Sequence, residues 1–511
     1  MVHYVTGKPV PQASLTLRTP SQNASPRAAK ADDEGRFSFA DLDPGSYTLS
    51  AQQRGFLDHD YGAKSSSRGG TVLNLATGQR IRDLEFRLMP QAIIAGKVLD
   101  DRGEPVEHTI VNLIRASGGS GGPSGGTNDL GEFRISGIFP GHYFLGASLS
   151  SGGTSAPTEP GKREEVLLPT LYPSARDIGG AVPLEIGPGQ ELSGITVGMR
   201  RSPVYRVRGK IAGEIGDRVG VILGPREFAL ASSAAGYLFS FAASATANPD
   251  GSFEIRGVRP GSYYLRIGRG SHDTYRDSEF LSVDVTNEDV DLKDLTVSFR
   301  DPLVVAGTVR VEGDDKRVPV SSQVSLRTAG PWDSGTTSVS PRPDGGFRFT
   351  RLVSPGSYYV QLLQLPPDLY VKSVRMGDQE VRDSALDLTG GQAAGITILL
   401  GTNPATVTGT VRLDDKPTAG TWVALVPDQY VPRGPTELRT GTSDQNGRVH
   451  FTGVPPGEYR LYAWEEGQSA SDINASFLKP LQSKSAKVSA KEGDAIQVEV
   501  APIRAEGSPA R

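Results

Sequence analysis

The chain has 511 residues, a formal net charge of −4 and no cysteine. This balance lacks the basic excess of nucleic-acid-binding proteins, and the missing thiols exclude disulfides and thiolate metal sites. No apolar run approaches the roughly 20 residues of a membrane-spanning helix. The 62 glycines and 37 prolines indicate many turns between short strands, at a share below the range of about 25–30% typical of disordered sequences.

One pattern recurs five times along the chain. Its clearest copy, DLGEFRISGIFPGHYFL from Asp129, alternates apolar and polar residues on both sides of a Pro-Gly turn, which predicts a hairpin of two strands with one buried face each. The copies follow one another at intervals of roughly 100 residues, the size of a small domain. A glycine before the first strand marks each copy: Gly35, Gly131, Gly251, Gly346 and Gly447. The sequence therefore predicts a tandem array of five modules.

The first module is predicted at residues 1–89. Its segment VTGKPVPQASLTL from Val5 matches DRGEPVEHTIVNL from Asp101, but most of the strand that precedes the second copy, IIAGKVL from Ile93, has no counterpart. We expect this module to be N-terminally truncated, and the opening residues lack the features of a signal peptide. The remaining modules are predicted at 90–200, 201–300, 301–401 and 402–505, with a disordered tail at 506–511.

Short strands with a period of two predict an all-β chain of five small antiparallel β-sandwiches. In module 3, the apolar segment Phe228 to Ala247 is interpreted as two short strands. In module 2, the glycine- and serine-rich run from Ser117 is interpreted as a flexible loop. Because almost no linker separates one module from the next, we expect a semi-rigid rod or arc.

Module 2 carries the whole motif: Gly96-Lys-Val98, Pro105-Val106, Gly131-Glu-Phe133 and Pro140-Gly141-His-Tyr143-Phe-Leu145. The motif resembles the carboxypeptidase regulatory-like domain, a seven-stranded transthyretin-like (prealbumin-type) sandwich. That family is grouped with carbohydrate-binding-like folds and with the B-type repeats of surface adhesins. The resemblance implies a transthyretin-like or Ig-like fold and an extracytoplasmic location, whether periplasmic, outer-membrane associated or secreted. It does not by itself imply a function, because this fold serves as spacer, binder or accessory module.

The search for catalytic residues predicts that the chain is not an enzyme and has no cofactor. Zinc carboxypeptidases combine a His-x-x-Glu pair with a distant histidine, and no histidine here has a glutamate three residues later. The G-x-S-x-G sequences around Ser120 and Ser124 lack the preceding strand and following helix of a nucleophile elbow. The histidines considered are His3, His59, His108, His142, His272 and His450.

Neither metal sites nor cross-links are predicted. Calcium needs six to eight oxygen ligands, whereas each first turn of the motif offers one or two carboxylates, so we expect these to cap their turns. B-type adhesin repeats often contain Lys–Asn isopeptide bonds, but the strand pattern directs Lys97 and Lys210 outward. The turn carboxylates are Asp33, Asp129, Asp250, Asp344 and Asp444.

Aromatic residues provide the one candidate binding site. The tyrosines of the Pro-Gly-x-Tyr motif share the parity of core residues, so we expect them to be buried with their hydroxyls at the rim. In module 5, by contrast, Trp422, Tyr462 and Trp464 have the opposite parity and lie on strands that are neighbours in transthyretin-like sandwiches. These three predict an aromatic patch outside the core, suited to a sugar ring. The alternative is burial under the following connection, Glu465 to Lys479, or against module 4.

Two functions remain open from the sequence. The first is a non-enzymatic extracytoplasmic array that acts as a spacer, adhesion or binding module, with a carbohydrate or a cell-surface protein as partner. The second is a carbohydrate-binding accessory protein that uses the aromatic residues of module 5. Neither involves nucleic acid or a transmembrane segment.

Overall fold

The structure is a computed structural model of the 511-residue chain. It describes residues 1–19, 25–63, 70–116, 122–149, 164–212, 219–226, 243–269, 276–277, 281–286, 288–296, 303–313, 318–329, 336–349, 356–382, 384–389, 394–428, 438–465, 473 and 475–503. Within these ranges, no helix is long and apolar enough to cross a bilayer.

Module 2 shows the architecture that the repeat produces. Its first sheet has three strands, with β8 in the middle, antiparallel to β11 and parallel to β16. Its second sheet is built around β9 and β12, with β10, β14 and β15 beside them. The strands are β8 (Ala92–Leu99), β9 (Thr109–Arg115), β10 (Ser124–Gly126), β11 (Glu132–Ile138), β12 (Gly141–Leu149), β13 (Glu165–Leu167), β14 (Thr170–Leu171), β15 (Leu184–Ile186) and β16 (Glu191–Gly198). A 3₁₀ turn, Ile178–Gly180, precedes β15.

The other four modules repeat this plan with local changes. Module 1 has β1 (Val2–His3), β2 (Ser14–Arg18), β3 (Arg27–Lys30), β4 (Gly45–Gln52), β5 (His59–Asp60), β6 (Leu73–Leu75) and β7 (Arg87–Leu88). Module 3 has β17 (Arg201–Pro203), β18 (Tyr205–Ile211), β19 (Val219–Pro225), β20 (Ala243–Thr246), β21 (Ser252–Val258), β22 (Gly261–Arg269), β23 (Arg276–Asp277), β24 (Leu281–Val285) and β25 (Val290–Leu295).

Module 4 has β26 (Val305–Val311), β27 (Gln323–Thr328), β28 (Thr336–Val339), β29 (Gly346–Arg348), β30 (Ser357–Leu363), β31 (Leu369–Met376), β32 (Gln379–Glu380), β33 (Leu386–Asp387) and β34 (Ala394–Thr402). Module 5 has β35 (Ala405–Leu413), β36 (Lys416–Pro417), β37 (Trp422–Pro427), β38 (Arg439–Thr442), β39 (Arg448–Val454), β40 (Gly457–Trp464), a one-turn helix α1 (Ala475–Leu478), a 3₁₀ segment (Lys479–Lys484), β41 (Ala486–Ala490) and β42 (Ala495–Val500).

Each module has its own hydrophobic core between its two sheets. The core of module 2 contains the alternating residues that the motif identifies, among them Phe133, Ile135, Tyr143 and Leu145. The all-β fold and the array of five sandwiches are therefore confirmed. The predicted residue limits of the modules stay a prediction.

The predicted hairpin around the Pro-Gly turn is wrong. In module 2, β11 pairs with β8 and β12 pairs with β9, so the two strands beside the turn belong to opposite sheets. Both strands still bury one face each, because the two sheets face each other across the core. Alternation alone cannot distinguish two strands that pair side by side from two that face each other. The turn is a corner between sheets, and we call it the Pro-Gly corner.

A tyrosine secures this corner. The Tyr143 hydroxyl donates to the carbonyl of Phe139, four residues earlier, at 2.9 Å. Tyr47, Tyr263 and Tyr459 make the same bond, at 2.7, 2.9 and 2.8 Å. The rings are buried, as the parity of the motif predicts, and each hydroxyl satisfies a carbonyl that the turn would leave unpaired.

A glycine allows the first strand of modules 2, 3 and 4 to pack between its neighbours. In module 4, Gly307 lies opposite Phe347 on one side and Ile396 on the other. A Cβ at Gly307 would overlap the Ile396 carbonyl oxygen and lie 2.5 Å from the Phe347 ring. Gly96 and Gly209 are enclosed in the same way, by the Ile195 carbonyl and the Phe253 ring. The glycine of the Gly-x-Val motif is thus required by packing.

Module 1 differs where its first strand is short. Only Val2 and His3 pair with the last strand, β7. Phe37 and Phe39, which correspond to the β11 strand of module 2, have no strand partner and no strand conformation. They still pack against the core of module 1.

Module 4 differs after its Pro-Gly corner. Its β31 joins the three-stranded sheet beside β34, with seven residue pairs in register. That sheet therefore has five strands, in the order β29-β26-β34-β31-β32. This extra strand faces module 5.

Three further predictions fall partly or wholly outside the described residues. The glycine- and serine-rich run of module 2 is not all loop, because Ser124–Gly126 pairs antiparallel with β9, while residues 117–121 lie outside the described part of the chain. Residues 227–242, most of the apolar segment of module 3, also lie outside it, and only β20 is described there. The predicted tail 506–511 is likewise outside the description.

We predict that Gly307→Ala destabilises module 4 by about 1–3 kcal/mol, because the new methyl group must push apart two strands. Hydrogen exchange of residues 305–311 and 394–402 should then accelerate by about 5- to 150-fold. The matched control is Gly395→Ala in the same sheet, where a Cβ meets nothing within 4 Å. Equal exchange rates in the two variants would contradict the packing role of Gly307.

Candidate functional site

The candidate aromatic residues lie together, on the face that the sequence predicts. Strands β37 and β40 are neighbours, with Trp422 opposite Trp464 and Ala424 opposite Tyr462. The alternate residues Val423 and Leu461 point into the core of module 5. The three aromatic side chains therefore project from the outer face of the second sheet.

The structure corrects the expectation that this patch is exposed. Trp422, Tyr462 and Trp464 are only 9%, 1% and 3% exposed. The described part of the connection from β40 to β41, together with the segment after β42, packs over them and forms a second small core on the outer face. The covering side chains are Ile473, Phe477, Leu478, Leu481 and Ile503. Burial under the following connection, the alternative left open by the sequence, is the arrangement observed.

The aromatic rings stack against one another beneath this cover. Trp464 lies at the centre, with its ring centroid 5.0 Å from that of Trp422, 5.5 Å from that of Tyr462 and 6.3 Å from that of Phe477. Burial raises the pKa of the Tyr462 hydroxyl. The Trp464 Nε1–H group is buried without a hydrogen-bond partner, an arrangement that costs about 1–3 kcal/mol. In this state the rings stabilise the module and present no platform to a sugar.

The cover has a sequence signal that the strand-based reasoning missed. Ile473, Phe477, Leu478 and Leu481 are spaced by four, one and three residues, which is the spacing of an apolar helical face. The segment forms α1 and the following 3₁₀ turn. Arg460 on β40 holds its far end by donating to the Gln482 carbonyl at 3.4 Å and to Ser485 at 3.3 Å.

Three of the five predicted turn carboxylates, Asp250, Asp344 and Asp444, cap their own turns. The Asp444 Oδ1 accepts hydrogen bonds from the backbone N–H groups of Asn446 and Arg448, both at 2.8 Å. Asp250 and Asp344 accept from Ser252 and Gly346 in the same way.

In modules 1 and 2 the cap is one residue earlier than predicted. It is Asp32 rather than Asp33, and Asn128 rather than Asp129. In module 4, the glycine with the left-handed backbone is Gly345, with φ +82°, rather than the predicted Gly346. No group of three acidic or histidine side chains suited to a metal occurs among the described residues.

The described residues that were considered for covalent chemistry, Lys97, Lys210 and Ser124, are exposed. Lys97 and Lys210 point outward, and Lys97 forms an ion pair with Glu132 at 3.1 Å, with both side chains about half exposed. The buried polar residues of the described ranges include no lysine, so a buried isopeptide bond has no lysine to form it there. Ser124 lies exposed on an edge strand, and Ser120 is outside the described residues.

A cleft of about 330 Å³ lies between modules 4 and 5. Its lining mixes apolar residues with polar and charged ones, which are Gln361, Gln364, Tyr370, Arg382, Arg439, Thr452 and Tyr459. Arg439 holds one wall by donating to the carbonyls of Thr452 and Gly453, at 3.1 and 2.6 Å. The described lining contains no carboxylate or histidine.

One hydrogen bond beside this cleft joins the two modules. The Tyr370 hydroxyl on β31 donates to the Glu492 carboxylate of module 5. Burial, followed by this hydrogen bond, strongly raises the pKa of Tyr370. The extra strand of module 4 therefore supplies a contact that fixes module 5.

Comparison with known proteins agrees with the motif in the first module. The family model of the carboxypeptidase regulatory-like domain matches residues 1–88. Residues 1–88 are therefore similar to a carboxypeptidase regulatory-like domain, the family that the repeated motif resembles. No curated protein matches the chain.

Three of the solved structures that match the chain do so at low identity and low TM-score. The full-length RrgB pilus protein from Streptococcus pneumoniae has 7% identity, covers 82% of this chain and 99% of its own, with a TM-score of 0.17. Two B repeat units of the collagen binding protein of Staphylococcus aureus have 13% identity and a TM-score of 0.16. The match covers 74% of this chain and 93% of theirs. The Bacillus anthracis TIE protein has 12% identity and a TM-score of 0.17. The match covers 78% of this chain and 68% of that protein's chain. Scores this low carry no statement about function.

We predict that Trp464→Ala destabilises module 5 by about 3–5 kcal/mol, the usual cost of removing a buried tryptophan. Trp464→Phe keeps a stacked ring and removes the unpartnered N–H group, so its cost should stay below about 1.5 kcal/mol. Hydrogen exchange of residues 457–464 and 475–490 measures both effects. Unchanged exchange in Trp464→Ala would show that the cover does not pack on the rings.

Proposed function

We propose that this chain is a non-enzymatic, extracytoplasmic array of carboxypeptidase regulatory-like modules that acts as a spacer with an adhesion or binding role at the cell surface. One observation carries this proposal: each of the five modules closes its own hydrophobic core. When extended, a chain of self-contained cores sets a distance between its two ends, and such an architecture does not require a catalytic centre.

The connections between modules support a spacer. Only Asn403 and Pro404 separate β34 from β35. At the first joint, Leu57, Met89 and Phe139 form a small apolar cluster between modules 1 and 2. At the second, β13 pairs with β17, and Arg201 forms an ion pair with the buried Asp100. At these three joints, short or packed connections limit bending between neighbouring modules.

The extracytoplasmic location and the partner rest on the family resemblance. A cell-surface protein or a carbohydrate is the proposed partner. The location is tested in the native cells by treating them with a protease that cannot enter and then detecting the chain with an antibody. Loss of the intact chain supports exposure at the surface. Survival of the chain until the cells are lysed would contradict it.

Carbohydrate binding through Trp422, Tyr462 and Trp464 is the alternative function, and it requires displacement of the cover. A glycan array with the full chain, the Trp464→Phe variant and the Trp422→Ala/Trp464→Ala variant tests it. Glycan binding by the full chain and by Trp464→Phe that is lost in Trp422→Ala/Trp464→Ala, while modules 1 to 4 stay folded, would favour this alternative. We expect no glycan to distinguish the three proteins.

The same protein preparation tests the absence of peptidase activity. We expect no cleavage of C-terminal residues from model peptides, with or without added zinc, because the described residues offer no three-ligand site. Zinc-dependent cleavage that a chelator abolishes would contradict the proposal.

We predict that pulling the two ends of the chain apart gives five separate unfolding events. A module of about 100 residues extends by roughly 300 Å when its strands unravel, at about 3.3–3.6 Å per residue. The chain has no cysteine, so no disulfide shortens these steps. Single-molecule force spectroscopy measures their number and length. Fewer, larger steps would show that the modules are not independent cores.

A further inference from the structure

The first turn of module 5 contacts an edge strand of module 1. The Gln445 side-chain amide accepts a hydrogen bond from the Asn74 backbone N–H at 3.4 Å and donates to the Asn74 carbonyl at 3.2 Å. The Asn74 side chain in turn donates from Nδ2 to the Asp444 carboxylate at 3.3 Å. Two residues of module 5 therefore satisfy both the backbone and the side chain of one residue of module 1.

The hydrogen bonds between Gln445 and Asn74 suit the unpaired edge of a strand. Asn74 lies on β6, which pairs with β4 on one side only. Its N–H and C=O groups on the other side need partners when they are buried. A glutamine amide offers one acceptor and two donors, so that Gln445 satisfies the edge as a further strand would.

The backbones of the two modules come close beside these hydrogen bonds. Gly420 of module 5 has φ +70°, and a Cβ there would lie 2.8 Å from the Gly62 carbonyl oxygen of module 1. Thr71 next to this contact is 1% exposed. The contact is therefore close packing as well as hydrogen bonding.

The turn of module 5 differs from the other four turns at the position that makes the contact. The turns are equivalent, because in each the glycine N–H donates to the carbonyl three residues earlier. The residues that correspond to Gln445 are Asp33, Asp129, Pro249 and Pro343. A proline has no side-chain amide, and a carboxylate would repel a backbone carbonyl.

The edge strand of module 1 also differs from those of the other modules at the residue that makes the contact. Asn74 pairs with Ser46 of the Pro-Gly-x-Tyr motif, and the same pairing identifies its counterparts in the other modules. They are Glu185, Asp284, Asp387 and Ser489. An acidic residue there would face the Asp444 carboxylate, so modules 2 to 4 are poor partners for module 5.

We propose that Asp444 and Gln445 dock on Asn74 as an intramolecular clasp, which closes the five-module chain into a ring. This goes beyond a spacer function, because the array then has a short closed state and a long open state. The clasp needs few hydrogen bonds, since its two halves belong to one chain and their docking is intramolecular.

The two states differ in size by a measurable amount. A module of about 100 residues has a radius of gyration of about 13 Å and is therefore roughly 33 Å across. Five such modules in a closed ring span about 90 Å, and in a straight row about 165 Å. Opening the clasp should increase the maximum dimension by about 1.3- to 1.8-fold.

The test uses a charge change that the fold already tolerates in its other modules. Asn74→Asp places a carboxylate opposite Asp444, as in the edges of modules 2 to 4, and should open the ring. Asn74→Asp/Asp444→Asn restores a hydrogen bond with donor and acceptor exchanged and should close it again. Asn caps the equivalent turn of module 2, so that this change preserves the turn. Asn128→Asp adds the same charge in module 2 as a matched control.

Small-angle X-ray scattering and sedimentation velocity of the full chain measure the outcome. We expect a compact wild type, a compact Asn128→Asp control, an extended Asn74→Asp variant and a compact double variant. An extended wild type, or equal dimensions in all four proteins, overturns the proposal. A compact form that appears only as the protein concentration rises also overturns it, because the contact would then join two chains.

Discussion

The close approach of strands around one glycine is the constraint on which modules 2, 3 and 4 depend. At Gly96, Gly209 and Gly307 the first strand has no room for a Cβ, because a carbonyl of the last strand or an aromatic ring already occupies that space. The first strand therefore joins two parts of the chain that are distant in sequence. In module 1, Val2 and His3 pair with the last strand, and Phe37 and Phe39 pack on the core but form no strand.

The sequence was sufficient to predict which residues form the cores. It was insufficient to predict how the segments that connect the core strands pack. Parity correctly placed Tyr143 inside and Trp464 outside the core of its module, because side chains alternate strictly along a strand. The same parity could not show that the strands beside a Pro-Gly corner lie in opposite sheets. It also could not show that the residues after Trp464 return to cover it, since long-range packing decides where an apolar segment finds its partner. A helical spacing from Ile473 to Leu481 was the available signal.

The modules become different from one another in the segment that follows the Pro-Gly corner strand. In module 4 this segment becomes β31 and carries Tyr370 to Glu492 of module 5. In module 5 it covers the stacked aromatic rings. Surface variation in the array is therefore concentrated at one point of a repeated scaffold, where a change in length or sequence leaves the core strands unaffected.

The parallel pairing of the first and last strands has a mechanical consequence. Strands β8 and β16 lie side by side and run in the same direction, and so do β26 and β34. The chain therefore enters such a module near one pole and leaves it near the other. A load along the array pulls these two strands past each other in shear, and their hydrogen bonds must break together rather than one after another. The topology thus favours high resistance to stretching along the chain axis.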